Sequence, residues 1–223
     1  MKELSFREIW RIVDKFKADI PEGKSGDWTV SKFTIDVEGK KSQDLHHSIQ
    51  MIQGHNPVQA IGEGTYTRLD RRGTTVMSDT QAELGDLFDL LSKAEGHVLI
   101  NGLGLGCTVD LCLALPKVTK VTVIEISPDV IKLVVPSLKK RWGDRLEVIE
   151  ADCLTYKPPK GEKYGAVWHD IWDDICTDNL PELTKLKRKY ARRTAWQKGW
   201  QEDLLRAQKR KEKSEERRMS IWY

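Results

Sequence analysis

At 223 residues the chain has room for one α/β domain and a small appendage. Its 37 Lys/Arg and 34 Asp/Glu leave a net charge of +3, which hides an asymmetry. From Lys185 to Arg218 there are 14 Lys/Arg against 5 Asp/Glu, a net of +9, so the remainder carries −6. No apolar run reaches the roughly 18 residues of a membrane span, and "MKELSFREIW" puts charges where a signal peptide needs an apolar core. Cys107, Cys112, Cys153 and Cys176 show neither C-x-x-C pairing nor zinc spacing. These features predict a soluble, cytoplasmic protein with reduced cysteines, no membrane partner and no metal site.

A first helix is expected over residues 4 to 19, where Ser5 and Glu8 form a capping box and Phe6, Ile9, Trp10, Val13 and Phe16 share one face. Pro21-Glu22-Gly23 breaks it. From Trp28 to Val76 the pattern turns to period two, with "WTVSKFTIDV" as a strand, a turn at Glu38 to Lys41, and two more strands around "DRRG". A small antiparallel appendage follows from this. His46, His47 and His55 fall between its strands and, with no converging carboxylates or cysteines, read as loop residues. Ser78-Asp79-Thr80 opens a helix through Ala94, with Gln81 or Glu83 closing a capping box.

The chain then reaches its most informative stretch, "HVLINGLGLGCTVDLCLAL" followed by "VTVIEIS". A continuous apolar run stops at Asn101, breaks into Gly102-Leu103-Gly104-Leu105-Gly106, and resumes with helical spacing; a buried parallel strand, a tight turn and a helix follow from that pattern. The helix directs its free N–H groups at whatever lies on the turn. Glu125 ends the next apolar strand about 20 residues on, where a carboxylate can accept hydrogen bonds from a ribose diol. Ser127-Pro128 starts a helix that Pro136 kinks before Gly143. "RLEVIEADCLTY" is a third strand ending at Asp152, and "YGAVWHDIWDD" a fourth ending at His169-Asp170. Nothing beyond Thr177 reads as a strand. The predicted fold is α/β, a short doubly wound Rossmann-like parallel sheet with an N-terminal β appendage and a helical basic C-terminal tail. Boundaries fall at 1–76, 77–180 and 181–223.

Every polar residue of interest then lies at a strand's carboxyl end, where ligands of such sheets bind. Asp152 can accept the exocyclic amine of an adenine, and the Cys153 N–H can meet a ring nitrogen. The cluster "WHDIWDD" sets an imidazole and three carboxylates between Trp168 and Trp172, able to hold an amine or take a proton from a nucleophile. Crowding of the aspartates raises the pKa of one of them.

From Tyr66 to Asp174 these residues resemble the class I S-adenosylmethionine-dependent transferases, most of all the spermidine synthase-like branch. "TRLDRRGTTVMSDTQAE" is similar to the segment that leads into that family's first sheet helix, and "VLINGLGLG" to its strand and glycine loop. The resemblance implies S-adenosylmethionine as cofactor, held by Asn101, Gly102, Gly104, Gly106, Glu125, Ile126, Asp152 and Cys153. It places Asp170 where the family's base stands and Asp173 at the second acid, with His169 beside them. Leu105 stands where the family's synthases carry an aspartate facing the aminopropyl ammonium, which favours intact S-adenosylmethionine and methyl transfer to a small-molecule acceptor. Aminopropyl transfer is the alternative within the family. A nicotinamide enzyme would need a second domain to hold its substrate.

In the tail, Tyr190 stands among cations from Lys185 to Arg193, and Trp196 and Trp200 follow at helical i, i+4 spacing. A helix that packs its aromatics on the domain is the first reading. A nucleic-acid contact through 185–218, in a module that binds a nucleoside without catalysis, is the second. Residues 206–218 mix charges as an exposed helix or homodimer contact would.

Overall fold

A computed structural model describes residues 5–43 and 61–219. Helix α1 spans Phe6–Lys15 and carries the expected box: Glu8 N–H donates to Ser5 Oγ, and the Ser5 N–H donates to the Glu8 carboxylate at 2.7 Å. It stops short of residue 19 because a tertiary partner takes the chain over. The Ala18 N–H donates to Asp79 at 2.8 Å, and the other oxygen of Asp79 accepts from Thr67 N–H at 2.8 Å. Asp79 therefore stitches three segments together rather than opening a helix.

Strands β1 (Gly23–Ser25), β2 (Trp28–Ile35), β3 (Gly64–Arg71) and β4 (Thr74–Ser78) form an antiparallel sheet in that order, the expected appendage. Arg72 and Gly73, at φ +52° and +83°, give the paired left-handed residues that a tight hairpin needs. The turn expected at Glu38 to Lys41 is instead part of a helical segment over residues 37–43. His46, His47 and His55 lie outside the described residues.

The helix expected from Ser78 to Ala94 is two short ones, α2 (Gln81–Gly85) and α3 (Phe88–Lys93). Thr80 makes no side-chain cap; Glu83 reaches back to Ser78, accepting from its N–H at 2.8 Å and its hydroxyl at 2.6 Å. Next come β5 (Gly96–Asn101), α4 (Cys107–Ala114), β6 (Val118–Glu125), α5 (Pro128–Trp142) and β7 (Leu146–Glu150). Ser127 caps α5, and Pro136 sits inside it without ending it. After β8 (Ala166–His169), helix α6 (Leu180–Tyr190) leads to β9 (Gln197–Gly199) and α7 (Glu202–Met219).

The second sheet is wholly parallel, in the order β7-β6-β5-β8-β9. Helices cover both faces. Val98, Ile100, Val121, Val123 and Trp168 face the helices that precede and follow β5, whereas Leu99, Ile124 and Val167 face Leu186 and Tyr190 of α6. This is the doubly wound Rossmann-like α/β fold. The absence of strands beyond Thr177 is corrected by β9. Its three residues have no apolar pattern; they pair because β8 offers an open edge, with Val167 N–H donating to Trp196 O and Trp200 N–H to His169 O. Trp196 and Trp200 accordingly flank a strand, not one helix face, and Trp196 stacks on Trp168 with rings nearly parallel. Among the described residues no helix is long and apolar enough to cross a membrane.

Candidate functional site

Strand order reverses between β6 and β8 on either side of β5, and the crevice outside the carboxyl ends there is where a doubly wound sheet takes ligands. A cavity of about 550 Å³ opens at that point, within the usual small-molecule range. Gly102 forms its floor. Its φ of +94° lies in the region that favours glycine, and a Cβ there would run into the carbonyl oxygen of Asp170. Gly102 is thus demanded by the approach of the chain after β8, before any ligand is considered. Gly104 lines the cavity with its back to Met77 Sδ. Gly106, the left-handed N-cap of α4, packs against Leu138 and Val134 of α5 and does not reach the cavity.

Glu125 stands at the end of β6, mostly buried. Its two oxygens accept the N–H groups of Leu103 (2.8 Å) and Ser127 (2.7 Å), tying the glycine turn to the start of α5. Burial raises its pKa; those N–H groups oppose the rise and nearby Asp173 adds to it. A carboxylate oxygen that accepts one bond keeps capacity for another, so the ribose role predicted for Glu125 remains open to it. Ile126, 67% exposed, forms an apolar lip beside it.

Asp152 follows β7 and organises its own turn: Oδ1 accepts from Leu154 N–H at 2.7 Å, and its carbonyl from Thr155 and Tyr156. Among the described residues nothing accepts the Cys153 N–H. An unpartnered donor and a half-used carboxylate side by side suit the edge of a base, which presents both an acceptor and a donor. Burial pushes the Cys153 thiol up to about 12, so it stays protonated and is no nucleophile.

The acids after β8 separate. Asp170 lines the cavity, with its N–H held by Asn101 O at 2.9 Å. Burial pushes its carboxyl up to about 7; the Trp168 indole opposes the rise without making a full hydrogen bond, and Glu83 and Asp86 add repulsion. The raised acid was expected, but its cause is burial first and acids from α2 and its C-cap second. Asp173 pairs with Arg71 of β3 at 2.9 Å, closing the cavity from the appendage side.

His169 and Asn101 are not brought to the cavity. Both are fully buried and bonded to each other, Asn101 Nδ2 to His169 Nδ1 at 2.8 Å, while His169 Nε2 meets Gln197 Oε1 at 3.2 Å. Burial lowers the His169 pKa to about 4, so the ring is neutral and locks β9 to the sheet. The reason is the pleat: neighbours on a strand face opposite ways, so His169 turns toward α6 while Asp170 turns to the cavity.

Sequence reading also missed walls drawn from distant elements: Trp28, Arg71, Glu83 and Trp200. Trp200 is clamped by Asp86, which accepts its indole N–H at 3.0 Å and the Gln201 amide at 2.6 Å. In total the lining holds seven carboxylates (residues 27, 83, 125, 129, 152, 170 and 173) and one cation, Arg71.

The chain is therefore a Rossmann-like protein with a strongly acidic cavity at its switch point. No family model matches the chain, and no curated protein matches it. Solved structures with a partial likeness include TrmN from Thermus thermophilus, at 13% identity and a TM-score of 0.43, covering 60% of this chain and 40% of that one. The CcbJ methyltransferase from Streptomyces caelestis is similar at 15% identity and 0.39, covering 49% and 43%. An S-adenosylmethionine-dependent methyltransferase from Clostridium acetobutylicum is similar at 12% identity and 0.36, covering 48% and 41%. The chain thus spans less than half the length of each of these three. Likeness of that extent carries no function, which has to come from the cavity.

Proposed function

We propose that the cavity binds S-adenosylmethionine and that the protein transfers its methyl group to an acceptor. The observation that carries this is the convergence of Glu125, Asp152 and Asp170, from the ends of β6, β7 and β8 on the two sides of β5, around one space floored by Gly102 and Gly104. The donor set fits the group. Glu125 suits ribose hydroxyls, Asp152 with the Cys153 N–H suits an adenine edge, and an acidic wall suits a ligand bearing a sulfonium and an ammonium. Bound, that ligand supplies an electrophilic methyl group. Asp170, whose pKa near 7 matches a general base, takes the acceptor's proton, and Trp172 and Trp200 limit water around it. Seven carboxylates repel a phosphodiester, so a neutral or cationic small-molecule acceptor fits better than nucleic acid.

Calorimetric titration with S-adenosylmethionine, its decarboxylated form, S-adenosylhomocysteine and NAD tests the reading. Tight binding of the first and third supports it. Preference for the decarboxylated form would move the reaction to aminopropyl transfer, and silence from all four would overturn the assignment. Asp152→Ala removes a charge-assisted bond to the base, and its affinity for S-adenosylhomocysteine is expected to fall about tenfold or more. Undiminished binding by that variant would exclude the base from this edge. Glu125→Ala is expected to abolish binding, although it also frees the Leu103 and Ser127 N–H groups, whereas Asp152→Ala frees that of Leu154 alone.

A further inference from the structure

The segment from Ala151 to Gly165 joins β7 to β8 with turns and a single bridge, at Tyr164. Its carbonyls have no ladder to satisfy them, and buried backbone acceptors need partners. Two cations from one stretch of chain supply them. Lys189 Nζ donates to the carbonyls of Cys153 (2.5 Å), Leu154 (2.9 Å) and Tyr156 (3.0 Å), using all three of its protons. Arg193, four residues on, donates to Pro159 (2.7 Å), Glu162 (3.2 Å) and Pro158 (3.3 Å). Lys163 returns a bond to Arg192 O, and Tyr164 N–H one to Arg193 O. The cations do not wander, because Leu183, Leu186 and Tyr190 of α6 are fully buried.

The front of this same segment, Asp152 to Leu154, lines the cavity. We propose that Lys189, with Arg193 behind it, is a positioning residue for base recognition: it draws the carbonyls of Cys153 and Leu154 back so that the Asp152 carboxylate and the Cys153 N–H form the edge that reads an adenine. This rests on the cavity taking an adenosine-containing ligand. It gives the basic stretch from 185 to 193 an internal task. Lys187 is likewise engaged, with Glu202 at 2.7 Å.

The full-length protein and two variants test it. Lys189→Met keeps the aliphatic stem and removes the donors; Lys189→Arg restores donors. Hydrogen exchange on the ligand-free proteins is expected to speed up about tenfold or more at Thr155 and Tyr156 in Lys189→Met, with β5 and β6 unchanged, and to recover in Lys189→Arg. Calorimetry then compares S-adenosylhomocysteine with S-inosylhomocysteine, whose base lacks the exocyclic amine. The parent protein is expected to favour the adenine form, and Lys189→Met to narrow that ratio about tenfold. Unchanged exchange at 155–156 overturns the pinning whatever the cavity binds. Faster exchange with an unchanged ratio overturns the role in base recognition. A parent protein that binds neither compound overturns the reading of the cavity instead, while exchange still decides the pinning.

Discussion

At pH 8.5 the Asp170→Asn variant is expected to melt above the parent protein, by roughly 5 °C, while keeping its affinity for S-adenosylhomocysteine and losing methyl transfer. Burial, with Glu83 and Asp86 nearby, holds the folded-state pKa of Asp170 near 7 against 3.8 for an ordinary aspartate. Between those values the folded chain keeps a proton that the unfolded chain has lost. Stability therefore falls as pH rises through that window, and above pH 7 the full cost is present. Asparagine carries no such cost. Discounted for partial exposure, the difference is about 1–2 kcal/mol, which at this chain length is a few degrees. Near pH 4 the two proteins should melt together. Thermal melts from pH 4 to 8.5 check this, and a variant that melts lower at pH 8.5, or an offset independent of pH, would falsify the assignment of a buried, strained acid. Once an acceptor is in hand, the parent's rate should rise through pH 7 as the carboxylate appears.

Gly102→Ala should be among the most damaging single substitutions in the chain. The new methyl group meets the Asp170 carbonyl oxygen, and that residue cannot retreat freely because the neighbouring peptide is anchored through its Asp170 N–H to Asn101 O at 2.9 Å. Left-handed strain and overpacking together cost about 3–5 kcal/mol, or roughly 10 °C in melting temperature. Gly143→Ala separates the two terms. Gly143 also has positive φ, +54°, but a Cβ there meets nothing within 4 Å, so its replacement carries backbone strain without the overpacking cost of about 1–3 kcal/mol. Equal losses from the two variants would show that the close approach at Gly102 is relieved by a small shift.

What could be read in the sequence, and what could not, divides by the range of the cause. The turn at Gly102, the carboxylate at Glu125, the cap at Ser127 and the hairpin at Arg72-Gly73 are each specified within a few residues, and each stands where pattern reasoning put it. Elements decided from a distance escaped. Gln197 to Gly199 is a strand only because β8 has an edge to fill, and Lys17 to Asp19 leaves helix α1 because Asp79, some sixty residues on, takes the Ala18 N–H. His169 is the instructive miss. Grouping it with Asp170 and Asp173 treated "WHDIWDD" as one cluster, although strand alternation alone assigns His169 and Asp170 to opposite sides. The walls from Glu83, Arg71 and Trp200 left no local signal.

The order in which the walls of the cavity occur along the chain bears on how the protein is made. Asp27 is the first and Trp200 the last, and at about 5–20 residues per second a ribosome needs on the order of ten seconds or more to travel between them. Through that interval Trp168 has no Trp196 to stack on and β8 has no β9, so a nascent chain carries an open sheet edge beside an unfinished pocket. A ligand of the proposed site is therefore captured only after synthesis has passed Trp200, and chains cut short before it should be clients of chaperones or proteases rather than weaker binders.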